Sequence, residues 1–205
     1  MNTSRQDVGT DRAIWVKDIR VCAHSGGSVA HSAGKVLLWG LLALAMALQA
    51  AQAYELTGKV IRVADGDTIT VRGEHGNHRI RLASIDAPET GSGSKRPGQP
   101  YGNASRKYLA DQVAGKTLTL TCYEADRYGR HICDVPLGDY TANQLLVFAG
   151  MAWANRQGND KYLRDRSLLE LQQDARDNKR GLWVEPGAVA PWQWRRDCWR
   201  NGQCD

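Results

Sequence analysis

Five short segments in which apolar and polar residues alternate constrain the fold of this chain more than any other feature. Alternation of this kind is typical of strands that are buried on one face, and it occurs in residues 54–63, 68–73, 78–84, 116–123 and 130–137. Apolar residues with helical spacing occur in residues 103–115, 140–151 and 161–181. We therefore predict an α+β fold, a five-stranded Greek-key β-barrel of the OB type with three α-helices packed on it.

Local signals mark where these helices begin and end. Thr141 is expected to act as an N-cap, because its hydroxyl can accept a hydrogen bond from a free backbone N–H of the first turn. Gly115, Gly150 and Gly181 stand at or next to the ends of the three segments, where we expect the helices to stop, because glycine is the usual residue just past a helix C-terminus.

The first 53 residues have the layout of a secretory signal. Lys35 precedes an uncharged apolar run, residues 36–50, and the small-residue site Ala51-Gln52-Ala53 follows it. The run is short for a membrane span, so we expect cleavage after Ala53 and export to the periplasm or medium, without stable membrane association. An uncleaved N-terminal anchor is the alternative. The predicted divisions are a leader (1–53), a globular domain (54–186) and a C-terminal tail (187–205).

Export determines how the cysteines are interpreted. Four of the five remain after cleavage, Cys122, Cys133, Cys198 and Cys204. In an oxidising compartment they indicate two disulfides, with three possible pairings. A bridge between Cys122 and Cys133 is reasonable because they flank a hairpin loop, and Cys198 and Cys204 would then close a small loop. Their spacing does not suit a zinc site.

Carboxylates and arginines cluster at predicted strand ends. Asp65 and Asp67 lie in the turn "ADGDT", where we expect Gly66 to supply backbone freedom, and Asp86 and Glu89 follow the third strand in "RIRLASIDAPET". If the first three strands are neighbours, Asp67 and Asp86 converge at one rim of the barrel. Converging carboxylates repel each other unless a cation lies between them, and oxygen ligands without histidine or thiolate suit calcium or magnesium.

Arginine completes this set. Arg81 lies on the third strand, and Arg127 and Arg130 lie in "DRYGR" before the fifth. Guanidinium groups match phosphate oxygens in a bidentate way. A hard cation, two arginines and a spare carboxylate are the groups that phosphodiester hydrolysis requires. The net charge of +5 is compatible with a polyanionic partner but does not show one.

Each of these elements also has a structural interpretation. "DGDT" is a common turn, Asp86 and Glu89 could cap a loop, and Arg81 could form an exposed ion pair with Glu89, worth roughly 0–1 kcal/mol. Arg130 could belong to an exposed hairpin. The function is indicated by the order of all these elements on a five-strand pattern and not by any one of them.

In that order the motifs resemble the staphylococcal nuclease (thermonuclease) family over about residues 56–183. The resemblance rests on "DGDT" at 65–68, "RLASIDAPET" at 81–90, "YG" at 101–102, "DRYGR" at 126–130, "LLVFAGMAW" at 145–153 and "GLW" at 181–183. It implies a five-stranded barrel with three helices and an endonuclease that uses one Ca²⁺ ion to cleave DNA and RNA, leaving 3′-phosphate and 5′-hydroxyl ends. Single-stranded substrates and a monomeric enzyme are expected.

The resemblance also implies a role for each site residue. Asp67 and Asp86 would be carboxylate calcium ligands, and the backbone carbonyl of Ala87 a third, although the family often has threonine there. Glu89 would be the general base or would position the attacking water. Arg81 and Arg130 would bind the scissile phosphate, with Arg130 also near the leaving oxygen. The set is completed by two residues at a neighbouring phosphate, Arg127 and Tyr128.

Two features depart from the family pattern. Arg156 stands where a base-stacking tyrosine is expected, and Tyr162 is a possible substitute. The tail "PWQWRRDCWRNGQC" lies beyond the family core. Its tryptophans and arginines could stack on bases and bind phosphates, but we favour packing against the barrel because tryptophan is mostly buried. A non-catalytic nucleic-acid-binding or peptide-binding module on the same fold is the alternative function. Loss of any of Asp67, Asp86, Glu89, Arg81 or Arg130 would favour it.

Overall fold

Five strands close into a barrel in the computed structural model, which describes residues 52–204. The predicted signal segment lies outside the described residues except for Gln52 and Ala53. The barrel order is β1-β2-β3-β6-β5, and its strands are β1 (Tyr54–Asp65), β2 (Thr68–Gly73), β3 (Gly76–Leu82), β5 (Thr117–Ala125) and β6 (His131–Asp134). All neighbours are antiparallel except β3 and β6. The predicted five-stranded α+β barrel is confirmed.

Four two-residue strands form small sheets beside the barrel. β4 (Ile85–Asp86) pairs with β9 (Trp153–Ala154), and β7 (Pro136–Leu137) pairs with β8 (Tyr140–Thr141). The fifth predicted strand therefore divides into β6 and β7. The pairing of β4 fixes the backbone at Asp86, which bears directly on the site described below.

Three helices of seven or more residues pack on the described part of the barrel. They are α1 (Gly102–Val113), α2 (Ala142–Phe148) and α3 (Ser167–Asp177). Thr141 caps α2 as predicted, since its Oγ1 accepts a 3.1 Å hydrogen bond from the N–H of Gln144. Shorter helical segments are Gln157–Asp160, Gly181–Val184, Pro191–Trp194 and Arg195–Arg200.

The start of α3 differs from the prediction by six residues. The sequence pattern placed it at Lys161, but the helix begins at Ser167. The backbone N–H groups of Arg164 and Asp165 donate to the hydroxyl of Ser84, at 2.9 and 3.2 Å. A tertiary contact therefore takes the donors that an earlier helical turn would have used, and periodicity alone cannot show this.

The barrel interior and the inner faces of α1 and α2 form one apolar core. Each fully buried side chain removes apolar surface from water, worth about 1.5–3 kcal/mol for a large aliphatic residue. The largest buried members include Ile69, Val71, Ile80, Leu82, Leu109, Leu120 and Leu146. Cys122 and Cys133 lie opposite each other on β5 and β6, with an S–S distance of 2.06 Å. Within residues 52–204, no helix has the length and apolar character needed to cross a bilayer.

The C-terminal segment, residues 191–204, packs back onto the loop between β4 and α1. The indole N–H groups of Trp194 and Trp199 both donate to the backbone carbonyl of Pro97, at 3.4 and 2.9 Å. Trp192 lies edge-on to Trp153. Cys198 and Cys204 are 2.06 Å apart at sulfur and close the end of the segment. The tail tryptophans therefore pack against the folded domain, as we favoured from the sequence.

Candidate active site

A cluster of carboxylates lies at the rim of the barrel where β1 turns into β2 and where the chain leaves β3. Asp67 stands in the connection between β1 and β2, and its backbone carbonyl accepts a 2.8 Å hydrogen bond from Leu82, the last residue of β3. Asp86 is the second residue of β4. Pairing of neighbouring strands therefore brings two segments, about twenty residues apart in sequence, to one place.

Arg81 joins these two carboxylates. Its Nη1 donates to Oδ1 of Asp67 at 2.8 Å, and its Nη2 donates to Oδ1 of Asp86 at 2.7 Å. The carboxylate side chains are 3% and 0% exposed. Buried charges are tolerated in proteins when they are paired and hydrogen-bonded, and this guanidinium supplies part of that pairing.

Gly66 allows this turn to pack closely. A Cβ atom at this position would lie 2.0 Å from Oγ of Ser105 in α1 and 2.7 Å from Cβ of Ala87. Gly66 does not have a positive φ. The prediction that it supplies backbone freedom is therefore wrong, because the position needs glycine for close approach instead.

Glu89 is held by its backbone at the edge of the same cluster. Its carbonyl accepts a 2.8 Å hydrogen bond from the N–H of Gln99 and lies so close to Gly102 that a Cβ there would be 2.2 Å from the oxygen. The "YG" motif is thus explained in part, since only glycine fits against Glu89 at the start of α1. The Glu89 side chain is 12% exposed.

Arg195, from the C-terminal segment, contacts two of these carboxylates, Asp86 and Glu89. Its Nη1 donates to Oε1 of Glu89 at 2.5 Å and to Oδ1 of Asp86 at 3.0 Å, and its Nη2 donates to Oδ2 of Asp86 at 2.7 Å. In the sequence, Arg195 is only one of the arginines of the C-terminal tail. Nothing in its local pattern indicates that it reaches residues more than 100 positions away.

Burial and charge shift the acidities in this cluster. Burial favours the neutral form of Asp86, but the guanidinium groups of Arg81 and Arg195 hold its pKa below the ordinary value. Burial raises the pKa of Glu89 despite Arg195. Asp65 is half-buried, and burial together with the charges of Asp67 and Glu89 raises its pKa to about 7. The cluster therefore holds more negative charge than its arginines neutralise.

The "DRYGR" loop connects β5 to β6 and is organised by Asp126, which the sequence analysis did not assign. Its carboxylate accepts hydrogen bonds from the backbone N–H groups of Tyr128 and Arg130, at 2.9 and 3.0 Å, and from Nε of Arg130 at 2.8 Å. Arg127 donates to the hydroxyl of Tyr128 at 2.7 Å, and both side chains are exposed. Aspartate at the start of a turn often accepts hydrogen bonds from the backbone N–H groups that follow it. The position of Asp126 at the start of "DRYGR" is therefore the signal that could have identified it.

Strand pairing aligns this loop with the carboxylate cluster. His131, the residue after Arg130, lies opposite Ile80, and Ile132 lies opposite Arg81. Arg81 and Asp126 also line a common cavity of about 130 Å³. The structure thus brings Asp67, Asp86, Glu89 and Arg81 into direct contact networks, while the described contacts of Arg127, Tyr128 and Arg130 stay within their own loop.

The donor set of the cluster suits a hard cation. Its acidic side chains are all carboxylates, which offer oxygen ligands, and calcium prefers oxygen ligands. Within the described residues no three His, Cys, Asp or Glu side chains are arranged as a metal site. Instead, guanidinium nitrogens contact Asp67, Asp86 and Glu89. Ala87, whose carbonyl is a predicted ligand, is buried, and its N–H donates to Oδ2 of Asp67 at 2.9 Å.

Comparison with known proteins agrees with this geometry. The family model described as "Staphylococcal nuclease homologue" matches residues 79–185, which include Arg81, Asp86, Glu89 and Arg130. The chain belongs to the staphylococcal nuclease family. It is accordingly a nuclease, an enzyme of the hydrolase class. The "DGDT" turn with Asp67 precedes the matched region.

Several curated proteins are similar over most of their length. An uncharacterized endonuclease of Escherichia coli O157:H7 is 44% identical over 142 residues, which cover 69% of this chain and 86% of that protein. The protein named ParB of Escherichia coli is 38% identical over 171 residues, covering 78% and 92%. The micrococcal nuclease of Shigella flexneri is 39% identical over 151 residues, covering 69% and 82%.

Proposed function

We propose that this nuclease is an exported, calcium-dependent endonuclease that hydrolyses DNA and RNA to products with 3′-phosphate and 5′-hydroxyl ends. The observation that carries the proposal is the contact of one guanidinium, that of Arg81, with both Asp67 and Asp86. It brings two buried carboxylates and a phosphate-binding side chain to one point at the barrel rim. The relatives named endonuclease and micrococcal nuclease support this reaction class.

Asp67 and Asp86 are the proposed carboxylate ligands, with the backbone carbonyl of Ala87 as a third. When bound, calcium would stabilise negative charge on the phosphate and favour attack by water. The pairing of β4 with β9 and the hydrogen bond from Ala87 N–H to Asp67 fix the backbone on which these ligands stand. This fixed backbone at Asp86 and Ala87 supports the assignment.

Glu89 is the proposed base. It takes a proton from the attacking water, or orients that water by a hydrogen bond, while the water oxygen attacks phosphorus and the bond to the 5′-oxygen breaks. The leaving 5′-oxygen takes up a proton from solvent and becomes the 5′-hydroxyl. Its raised pKa makes its carboxylate a better proton acceptor at neutral pH than an exposed glutamate. Its backbone contacts with Gln99 and Gly102 hold it near Asp86.

Arg81 and Arg130 are the proposed phosphate-binding residues. The two hydrogen bonds of Arg81 to carboxylates use two of the five N–H donors of a guanidinium, so others remain for phosphate oxygens. Arg130 is held by Asp126 and lies in the loop directly before β6, the strand that pairs with β3 at Arg81; in this proposal it also faces the leaving oxygen. Arg127 and Tyr128, exposed on the same loop, would contact a neighbouring phosphate.

Export, a monomeric state and a preference for single strands complete the proposal. The signal-like segment before Ala53 and two disulfides in the described chain support an oxidising compartment. With the signal cleaved, no stable membrane association is proposed, and the destination is the periplasm or the medium.

Degradation of heat-denatured DNA and of RNA by the purified protein, first with calcium and then with a chelator, tests the proposal. We expect cleavage in calcium only, and products that accept a 5′-phosphate from a kinase and release their 3′-phosphate to a phosphatase. Cleavage that persists in the chelator, or products with 3′-hydroxyl ends, would contradict it.

A further inference from the structure

We infer that Arg195 is an internal cation of the active site, and that the C-terminal segment, residues 191–204, is an autoinhibitory strap that a divalent cation must displace. The inference rests on the proposed function, because it assigns Asp86 to the calcium site and Glu89 to the attacking water. It concerns a part of the chain that lies beyond the region matched by the family model, residues 79–185.

The contacts of Arg195 carry this inference. The guanidinium bonds both carboxylate oxygens of Asp86, at 3.0 and 2.7 Å, and reaches Glu89 at 2.5 Å with the same Nη1. It thus bridges the proposed ligand and the proposed base. Oδ1 of Asp86 accepts from both Arg195 and Arg81, which uses both of its lone pairs. The positive guanidinium of Arg195 also lies where a cation would approach Asp86, and it repels that cation.

The segment around Arg195 is anchored so that the guanidinium stays in this place. Trp194 and Trp199, on either side of Arg195, donate to the carbonyl of Pro97 in the loop that follows Glu89. Cys198 and Cys204 close the segment covalently. Gln99, whose N–H bonds the carbonyl of Glu89, also donates its side-chain N–H to the carbonyl of Val189 at 2.6 Å. Gln99 therefore bonds both the backbone of Glu89 and the chain that leads into the strap.

Charge balance explains why a guanidinium binds here and why a divalent cation can replace it. Asp67, Asp86 and Glu89 face two arginines, Arg81 and Arg195. When Arg195 leaves, three carboxylates face Arg81 alone, and the remaining charge matches that of a divalent ion. A partly exposed arginine, with 27% of its side chain accessible, can leave at less cost than a fully buried one, because its charge is already partly solvated.

The neighbouring Arg196 provides a matched control. Its side chain is exposed and bonds Asp197 at 2.7 and 3.0 Å instead of the carboxylate cluster. Substitution of Arg196 removes the same charge from the same helical segment without changing the contacts of Asp86 or Glu89. A general effect of net charge on cation binding would appear equally in both variants.

Competition with Arg195 predicts a measurable change in calcium affinity. The apparent Kd of a ligand equals its intrinsic Kd divided by the fraction of molecules that are competent to bind it. If the strap is closed in about nine molecules of ten, the apparent Kd for calcium is therefore about tenfold higher than the intrinsic Kd. Calorimetric titration of the purified protein should therefore give, for Arg195→Gln, a Kd for calcium about tenfold lower than that of the unsubstituted protein. Arg196→Gln should leave the Kd unchanged.

Thermal unfolding supplies a second readout that does not depend on activity. Without calcium, Arg195→Gln should melt at a lower temperature, because Asp86 and Glu89 lose a partner. Saturating calcium should then raise its melting temperature by more than it raises that of the unsubstituted protein. If Arg195→Gln does not fold, the double variant Cys198→Ser with Cys204→Ser serves instead, since it loosens the strap and keeps every charge. It should also lower the Kd for calcium.

The outcomes separate this inference from the proposed function. An equal or higher Kd for calcium in Arg195→Gln, with calcium-dependent cleavage by the unsubstituted protein, overturns the inference and leaves the proposed function standing. Absence of both calcium binding and cleavage in the unsubstituted protein overturns the proposed function and the inference together. A lower Kd in Arg195→Gln but not in Arg196→Gln supports the strap.

Discussion

The backbone N–H of Ala87 donates a 2.9 Å hydrogen bond to Oδ2 of Asp67, which ties the turn after β1 to the chain that leaves β4. The other oxygen of Asp67, Oδ1, accepts from Arg81 and from the hydroxyl of Thr68, at 2.8 and 2.9 Å. The Asp67 carboxylate is the acceptor in each of these three hydrogen bonds. Such an arrangement suits a carboxylate and does not suit an amide.

Asp67→Asn should therefore affect both folding and calcium binding. An asparagine turns an N–H₂ group toward one of these donors, and a buried donor left unpaired costs about 1–3 kcal/mol. We expect a lower free energy of unfolding and the loss of calcium binding, measured by chemical denaturation and by calorimetric titration. Asp139→Asn, at an exposed turn position, is the control. Calcium binding by Asp67→Asn at the original affinity would contradict the ligand assignment.

Arg130→Ala should impair cleavage much more than stability. The side chain contributes to phosphate binding in the proposed reaction, and loss of one such stabilising donor reduces kcat by roughly 10²–10³-fold. Its ion pair with Asp126 lies within one loop, so the melting temperature should change little. Arg72→Ala, exposed on β2, is a suitable control for loss of one positive charge. Similar kcat values for Arg130→Ala and Arg72→Ala would remove Arg130 from the mechanism.

The carboxylate of Asp126 should make stability depend on pH in the acid range. Partial burial favours its neutral form, but hydrogen bonds from the backbone and side chain of Arg130 and from the N–H of Tyr128 lower its pKa below the ordinary value of 3.8. A carboxyl whose pKa is lower in the folded state contributes stability above its unfolded pKa and loses that contribution as pH falls through the folded pKa.

Asp126→Asn should accordingly be less stable than the unsubstituted protein at neutral pH, and the difference should shrink below about pH 4, the pKa region of an unperturbed aspartate. Melting temperatures measured from pH 7 to pH 2.5 check this. Asp139→Asn again corrects for the loss of one negative charge. A difference that stays constant over the whole range would show that the carboxylate charge does not stabilise the loop.

Gly66→Ala should destabilise the protein because of a steric clash. The added Cβ would lie 2.0 Å from Oγ of Ser105 and 2.8 Å from its Cβ, and overpacking of a core typically costs about 1–3 kcal/mol. Ser105 Oγ is buried without a hydrogen-bond partner, so Ser105→Ala alone should change stability little. The double variant should recover part of the loss. Equal stability of Gly66→Ala and the double variant would show that Ser105 is not the obstacle.

Local patterns in the sequence were sufficient to predict most of the fold. The alternation in β1, β2 and β3 indicates three successive strands, which we expected to be neighbours in the barrel. From this order alone, Asp67 and Asp86 are expected at one rim. The cap at Thr141 follows from its position before an apolar helical run. These features depend on residues close in sequence or on adjacent strands, which is the information that periodicity and turn chemistry contain.

Features that depend on distant contacts could not be predicted. The close approach of α1 to Gly66, the contact of Ser84 with the residues before α3, and the reach of Arg195 to Asp86 all join segments far apart in the chain. The composition of the tail suggested either packing or nucleic-acid binding, and neither interpretation includes an ion pair with the site carboxylates. Only the packed fold shows that an arginine of the tail lies at the proposed calcium ligand.

Cleavage of one single-stranded DNA in calcium by the unsubstituted protein and by Glu89→Gln tests the central claim most directly. Glutamine keeps the shape of the side chain but cannot accept the proton of the attacking water, and general-base catalysis contributes roughly 10²–10⁴-fold. The account predicts a fall in kcat of that size in a protein that remains folded and still binds calcium. A Glu89→Gln protein that is folded, binds calcium and cleaves at the original rate would contradict it.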